Sequence, residues 1–421
     1  MSRRTAYGLV AVVCAVPRLG ILLHERDAIT ASFTEKSDTI ARMFVEHGTF
    51  GFVPGAPSAY TQPLYAWFLI PIYWIFGANW WSIGTAQILV AIATALLVFE
   101  LGSRVLCRRA GLIAAAIATL NPYLVWHDVH VNREIVDQLV AAALVLLTLL
   151  VVERPARWRA LLLGVVSGIS MLGNTRLVFI PILCAVYVAW RLPRARATAL
   201  VAALVLAGAA VAVAPWLVRN QVSVGCFTLT TDGRAMWKAN NPRTYHLLSS
   251  GEWIDNIGRH PPRPPAPGRL TPEDANGIWL RNGRALHPDE CLEMRFYQHL
   301  AVEWMHKHPG QKTKLAALSA KILWQPSVFE TTDRSGAGTQ LDLGRRLLEP
   351  AYMWALYALA VVGLFLAPRA FVALALLLLA YQTAAALVFV GATRYRVAWD
   401  FLLAILAAAT IEHLIQRLRP R

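Results

Sequence analysis

Eleven runs of apolar residues divide the chain, at 5–24, 64–80, 84–103, 110–126, 136–152, 159–173, 177–190, 198–218, 350–367, 370–391 and 398–414. A helix needs about 20 predominantly apolar residues to cross a hydrocarbon core, and every backbone group inside that core has to be hydrogen-bonded within the protein. The pattern therefore predicts an all-α integral membrane bundle. Composition agrees, because 57% hydrophobic and 15% charged residues with a mean hydropathy of +0.47 leave too little polar surface for a soluble globule of 421 residues.

The net charge of +15 does not read as a nucleic-acid footprint, since the arginines fall in short clusters between apolar runs. They are topology signals instead. Counting all eleven runs as spans puts Arg104, Arg108 and Arg109 on the opposite side from Arg3 and Arg4, against the tendency of basic residues to stay cytoplasmic. The run at 64–80 is short, interrupted by Pro71 and rich in Trp and Tyr, so it is predicted to be an interfacial or re-entrant helix. With about ten spans, six clusters share one side: Arg3 and Arg4, Arg104 to Arg109, "ERPARWR", "RLPRARA", "APR" and "RLRPR". Both termini are then expected in the cytoplasm and the protein in the plasma (inner) membrane. The first run is taken as a span rather than a signal peptide, because Arg18 interrupts it and no small-residue cleavage site follows.

This topology predicts an N-terminal membrane domain at 1–218 with a first outer loop at 25–62, an extracytoplasmic loop region at 219–349, and C-terminal transmembrane helices at 350–421. The long loop contains the proline-rich "RHPPRPPAPGRLTP", expected to be irregular. It also contains an amphipathic helical segment, "ECLEMRFYQHLAVEWMHKHPG", expected to stop at Pro309 and Gly310. Cys226 and Cys291 are the cysteines of that loop, in a compartment that permits disulfides, and pairing is weighed against two free thiols. Cys14, Cys107 and Cys184 lie in or beside apolar runs, as small buried hydrophobes do.

On the outer side the polar stretches gather Asp27, Glu35, Asp38, Glu46, Asp128, Glu134, Asp137, Arg176, Arg219, Arg394 and Arg396. Ionisable groups at span ends are functional candidates by default, although such groups also simply pair with one another or face water. Local pairing of Arg133 with Glu134 is not expected, because adjacent residues on a helix do not face each other. His127 and His130 have no acid at ligand spacing, so no metal is expected.

The stretch "SDTIARMFVEHGTFG" followed by "AYTQPLYAWFLIPIYWIFG" resembles the first outer loop of bacterial GT-C membrane glycosyltransferases, the group related to protein O-mannosyltransferases and to the aminoarabinose transferases acting on lipid A. The likeness continues in order through "CRRAGLIAAAIATLNPYLVWH", "NREIVDQLV", "GNTRLVFIP", "APWLVRNQVSVGCFTLTTDGRAMWKANNP" and "ATRYRVAWDFLLAILAAA". It implies a GT-C-type polytopic helical bundle. It also implies inverting transfer of a sugar from a polyprenyl-phosphate donor to an acceptor hydroxyl on a glycan, lipid or protein, at the extracytoplasmic face and without a metal or other cofactor.

Such a transfer requires a carboxylate base and cations for the leaving phosphate. By the resemblance Asp38 is the first candidate base, with an N-cap on the following short helix as its alternative role. Glu35 is second and Asp27 third. Arg394 and Arg396 are expected to grip the donor phosphate, since a guanidinium holds two oxygens in a fork; the alternative is interfacial anchoring beside Tyr395. Arg219 is a further phosphate-binding candidate, and Arg176 is expected to assist; either could instead bind exposed carbonyls at its helix end. Glu134, Arg176, Tyr60 and Tyr395 are the substrate-orienting candidates. The rival function is a lipid-linked-sugar flippase or other transporter, which would place charges near the bilayer midplane and commonly shows internal repeats that are not visible here. A structural subunit without catalysis leaves the loop acid and the paired arginines unexplained.

Overall fold

The computed structural model describes residues 2–31, 35–192, 195–254, 257, 280–281, 284–285, 289–327 and 347–418. The chain begins with α1 (Arg3–Glu25), α2 (Ala28–Ala31) and α3 (Lys36–His47), then a short antiparallel hairpin, β1 (Gly51–Val53) and β2 (Ala56–Pro57). Next come α4 (Pro63–Phe76), α5 (Trp80–Val105), α6 (Arg108–Thr119), α7 (Pro122–His127), α8 (Glu134–Glu153), α9 (Arg157–Gly173), α10 (Ile180–Arg191) and α11 (Ala195–Ser223). The long loop contributes α12 (Gly233–Ala239), α13 (Thr244–Ser249), a two-residue hairpin, β3 (Leu280–Arg281) and β4 (Arg284–Ala285), then α14 (Glu290–Lys307) and α15 (Pro309–Trp324). The chain closes with α16 (Glu349–Leu366), α17 (Arg369–Val388), α18 (Thr393–Val397) and α19 (Asp400–Leu418).

Among the described residues, seven helices are long and apolar enough to cross a membrane: α1, α5, α8, α11, α16, α17 and α19. The protein is a multi-pass membrane protein with an all-α bundle. Three of the expected ten spans fall on shorter helices, because polar caps and prolines interrupt the apolar runs. The run at 110–126 breaks where Asn121 caps α7 and Pro122 starts it, leaving 12 residues in α6. The run at 177–190 begins with a 3-10 turn at Thr175–Leu177 and Pro181, leaving 12 residues in α10, and α9 has 17. At 1.5 Å per residue, 12 residues cover about 18 Å.

The core surrounds α19, whose residues 400–409 are all buried. Small residues let helices approach closely: a Cβ at Gly164 of α9 would run into the carbonyl oxygen of Val205 in α11. At the basic end of the bundle, Arg3 pairs with Glu100 and Arg109 Nε donates to Glu412 Oε2 at 2.6 Å. Inside the bundle, Arg18 donates to Asp128 at 2.6 and 2.9 Å and to the Thr119 carbonyl at 3.0 Å, so the arginine that interrupts the first apolar run is fully paired. Arg18 and Asp128 line an interior cavity of about 20 Å³ with Gln138 and Asp400. That volume suffices for a water molecule.

The expected amphipathic helix forms as α14, capped by Asp289, which accepts from Leu292 N at 2.9 Å. Pro309 does not lead into a loop; it occupies the first turn of α15, where its missing N–H costs nothing. Cys226 and Cys291 form a disulfide, as weighed from the sequence. The proline-rich 259–272 stretch lies outside the described residues.

Candidate active site

The segment after α1 folds onto α4 because its polar side chains find partners there. Glu35, not Asp38, caps α3, accepting from Ser37 N at 3.1 Å. Asp38 lies in the first turn, 7% exposed. One of its oxygens accepts from the Tyr73 hydroxyl of α4 and the other from Arg42 Nε at 2.9 Å. Both oxygens therefore have internal partners.

The "QPLY" stretch at the start of α4 registers this loop against the segment between α7 and α8. Tyr65 donates to Gln87 Oε1 at 2.6 Å and accepts from Asn132 N at 2.9 Å. Gln87 in turn donates to the carbonyls of Asp128 and His130 at 2.8 and 2.6 Å. Gln62 accepts from Arg133 at 2.9 Å and donates to Thr175 at 3.1 Å.

These contacts place Arg133 between two acids, with its Nε 3.9 Å from Glu35 and 3.8 Å from Glu134. The adjacent Arg133 and Glu134 do face each other, contrary to expectation, because Arg133 is the flanking residue of α8 rather than part of its regular turn. Glu134 is also 3.9 Å from Arg394 Nε. All three distances exceed ordinary hydrogen-bond length, and Glu134 Oε1 is buried without accepting a hydrogen bond. Burial pushes the Glu35 carboxyl up, but the Arg133 charge, hydrogen bonds from Ser37 and the charge of Arg394 outweigh it, holding the group below the usual carboxylate range.

Arg394 leads into this cluster from α18. Its guanidinium is 5.0 Å from the Tyr395 ring and 5.3 Å from the Trp253 ring, and it donates to the Tyr395 hydroxyl at 3.1 Å. Arg176 stacks on the same tyrosine at 3.5 Å and donates to the Val390 carbonyl at 2.8 Å. Two like charges thus share one ring beside two carboxylates. A Cβ at Gly391 would strike the Ser319 carbonyl, so glycine lets the 390–393 segment lie against α15.

Two sequence-predicted phosphate ligands stand elsewhere. Arg396 is not at an open mouth: it is 1% exposed, donates to Asp400 at 3.0 Å and to the carbonyls of Leu323 and Gln325 at 2.8 and 3.0 Å. The helical turn of α18 points it inward, opposite Arg394. Arg219 donates to the carbonyls of Ser58 and Phe50 at 2.8 and 3.0 Å and stacks on Trp216 at 4.9 Å. It secures the first-loop hairpin.

Tyr60 is 3% exposed, with Lys36 over its ring at 4.5 Å. Asp27 and Glu46 are exposed and outside the cluster. His130 stacks on Trp126 with ring centroids 3.8 Å apart, and its Nε2 is 3.8 Å from Glu25. Sequence reasoning missed Arg133, Gln62 and Trp253 as site residues. The quoted "QPLY" and "NREIVD" strings contained the first two, but a side chain's partner across 71 positions is not written in spacing.

Residues 57–218 match the family model described as dolichyl-phosphate-mannose-protein mannosyltransferase. Among solved structures, the archaeal oligosaccharyltransferase AglB from Archaeoglobus fulgidus, in complex with an inhibitory peptide and a dolichol-phosphate, is similar with a TM-score of 0.54 and 13% identity, over 98% of this chain and 50% of that one. The apo oligosaccharyltransferase from Archaeoglobus fulgidus gives a TM-score of 0.52 and 12% identity, over 98% and 51%. ArnT from Cupriavidus metallidurans bound to undecaprenyl phosphate gives 0.45 and 15% identity, over 98% and 81%. The chain spans about half the length of the two oligosaccharyltransferases. No curated protein sequence matches it. The resemblance to GT-C membrane proteins read from the sequence is borne out.

Proposed function

We propose that this chain, a GT-C superfamily membrane protein with a mannosyltransferase-type match over residues 57–218, is a glycosyltransferase that moves a hexosyl or pentosyl group from a polyprenyl-phosphate donor to an acceptor hydroxyl. The observation that carries the reading is the cluster of Glu35, Arg133, Glu134 and Arg394, spaced at 3.8 to 3.9 Å without closing into hydrogen bonds. Acids and cations held this way suit a reaction that takes a proton from one partner and leaves negative charge on the other.

Glu35 is the base in this proposal, in place of Asp38, because Tyr73 and Arg42 occupy both Asp38 oxygens. The acceptor oxygen forms its bond to the anomeric carbon as its proton passes to the Glu35 carboxylate. The bond from that carbon to the phosphate oxygen breaks on the opposite face, so configuration inverts. The electron pair goes to the phosphate, beside Arg394 and Arg176, whose charges favour the developing dianion. A Glu35 held below the usual carboxylate range is ionised at neutral pH, the state a base requires. Glu134 aligns Arg133 and Arg394, and Tyr60 and Tyr395 border the substrates. No step draws on a metal ion.

The reaction is assigned to the extracytoplasmic face of the plasma membrane, with both termini cytoplasmic, on the shared side of the six basic clusters. Acceptor identity, whether glycan, lipid or protein, is left to experiment. The test is donor cleavage: purified protein incubated with polyprenyl-phosphate sugars extracted from its own membranes should release free polyprenyl phosphate, and Glu35→Gln protein should not. A transporter would move such lipids between leaflets and leave them intact.

A further inference from the structure

The first loop is held from outside the membrane bundle by one buried acid that the reaction does not use. Glu290, the first residue of α14, is 5% exposed. One of its oxygens accepts from Ala59 N at 2.9 Å and from the Thr231 hydroxyl at 2.7 Å, and the Ser58 side chain is a third hydrogen-bonding partner of the carboxylate. Thr231 N donates back to the Ala59 carbonyl at 2.9 Å, and the Thr230 hydroxyl donates to the Tyr60 carbonyl at 2.9 Å. The next residue, Cys291, is bonded to Cys226, which ties α14 to the segment following α11.

What this latch holds is the short stretch that feeds both sides of the ionic cluster. Tyr60 lies under Lys36, the neighbour of Glu35, and Gln62 accepts from Arg133. We propose that Glu290 is a positioning residue: anchored by the Cys226–Cys291 disulfide, it fixes the main chain at Ala59 and so sets Glu35 against Arg133. The role rests on the glycosyltransferase reading, while the latch itself does not.

The mechanism of positioning is hydrogen-bond acceptance rather than charge, and this separates two variants. Glu290→Gln keeps a carbonyl oxygen for Ala59 and Thr231 and an amide group that can bond the Ser58 hydroxyl; Glu290→Ala takes this partner from all three and leaves the buried Ala59 N–H without an acceptor, which costs more than the bonds themselves. Reduction of the disulfide, in which an added phosphine gives up two electrons and becomes the phosphine oxide while water supplies its oxygen and the two protons of the thiols formed, should release α14 from its anchor in protein that has already folded.

The experiment uses full-length protein in lipid nanodiscs as wild type, Glu290→Gln, Glu290→Ala and reduced wild type. Hydrogen–deuterium exchange over residues 57–62 reads the latch, and quenching of tryptophan fluorescence by farnesyl phosphate reads the phosphate-binding cluster. Exchange at Ala59 and the dissociation constant should each rise about tenfold or more in Glu290→Ala, both should rise in reduced protein, and both should stay near wild type in Glu290→Gln. Unchanged exchange in Glu290→Ala overturns the latch, and raised exchange with unchanged binding overturns the positioning role. Glutamine that behaves like alanine overturns the hydrogen-bond mechanism. Wild-type protein that ignores farnesyl phosphate counts against the donor reading and the positioning role together, and the exchange data still decide the latch.

Discussion

Tyr73, near the end of α4, donates its hydroxyl to Asp38 in the first turn of α3. The opposite end of α4 is bonded as well, through Gln62, to Arg133 in the ionic cluster. A helix of 14 residues, about 21 Å long and tied at both ends in this way, is expected to lie along one face of the bundle rather than to cross the bilayer. Its Trp74, Ile75 and Phe76 are exposed, as suits a helix lying at the headgroup level.

Cysteine labelling reads that arrangement directly. Pro54→Cys and Trp81→Cys, both at exposed positions flanking α4, should react with an impermeant maleimide from one side, and Pro155→Cys only from the other. Opposite-side labelling of residues 54 and 81 would mean that α4 crosses.

The two first-loop acids separate in the donor-cleavage assay. Glu35→Gln removes the proposed base and should lower turnover by about 10² to 10⁴. Asp38→Asn keeps an acceptor for Tyr73 and gives up a part-exposed ion pair with Arg42, so the loss should stay within about tenfold. Dead Asp38→Asn protein beside active Glu35→Gln protein would return the role to Asp38.

Arg394→Lys preserves charge but not the planar group that stacks between Tyr395 and Trp253. The KM for donor should rise by about an order of magnitude, since cation–π contacts at desolvated sites contribute about 2 kcal/mol. A KM equal to wild type would remove Arg394 from donor binding.

Arg396→Ala tests the opposite assignment for its neighbour. It leaves Asp400 buried without its partner, an effect of about 3 to 5 kcal/mol, and should lower the unfolding temperature sharply. Combining it with Asp400→Asn should recover part of the loss. A stable Arg396→Ala protein with weakened donor binding would restore the phosphate role expected from the sequence.

Lys312 carries a pH signature. Burial pushes its ammonium down to about 8 from the 10.5 of a free lysine, while it donates to Asn240 at 2.6 Å and to the Val388 carbonyl at 2.9 Å. Between these two values the unfolded chain binds the proton and the folded one does not, so this group's contribution to stability rises with pH across that window. Thermal unfolding from pH 7.5 to 10 should show the rise in wild type and its loss in Lys312→Met; parallel curves would refute the shift.

The membrane class was legible from the sequence because apolar runs are long and their requirement is absolute. The site was legible as a neighbourhood. Glu35, Glu134, Arg394 and Tyr395 do meet, since loops at one end of a bundle have little choice but to share a surface. What spacing did not reveal was direction: Arg394 and Arg396 are two positions apart on one short helix and face different surroundings. Asp38 looked like a cap and a base, and Glu35 has the capping geometry because the helix starts one residue after it. Span counting did not foresee where a single Asn or Pro cuts an apolar run into shorter helices.

The bond between Ala59 and Glu290 joins residues 231 positions apart. At about 5 to 20 residues per second of synthesis, the first loop emerges roughly 12 to 46 s before the acid that latches it. For that interval a nascent chain has its N-terminal spans inserted and its acids in place, but no anchor for Ala59. Anchorage of the first loop then arrives only with α14, so a ribosome stalled before residue 290 leaves a product in which the Ala59 N–H lacks its Glu290 acceptor.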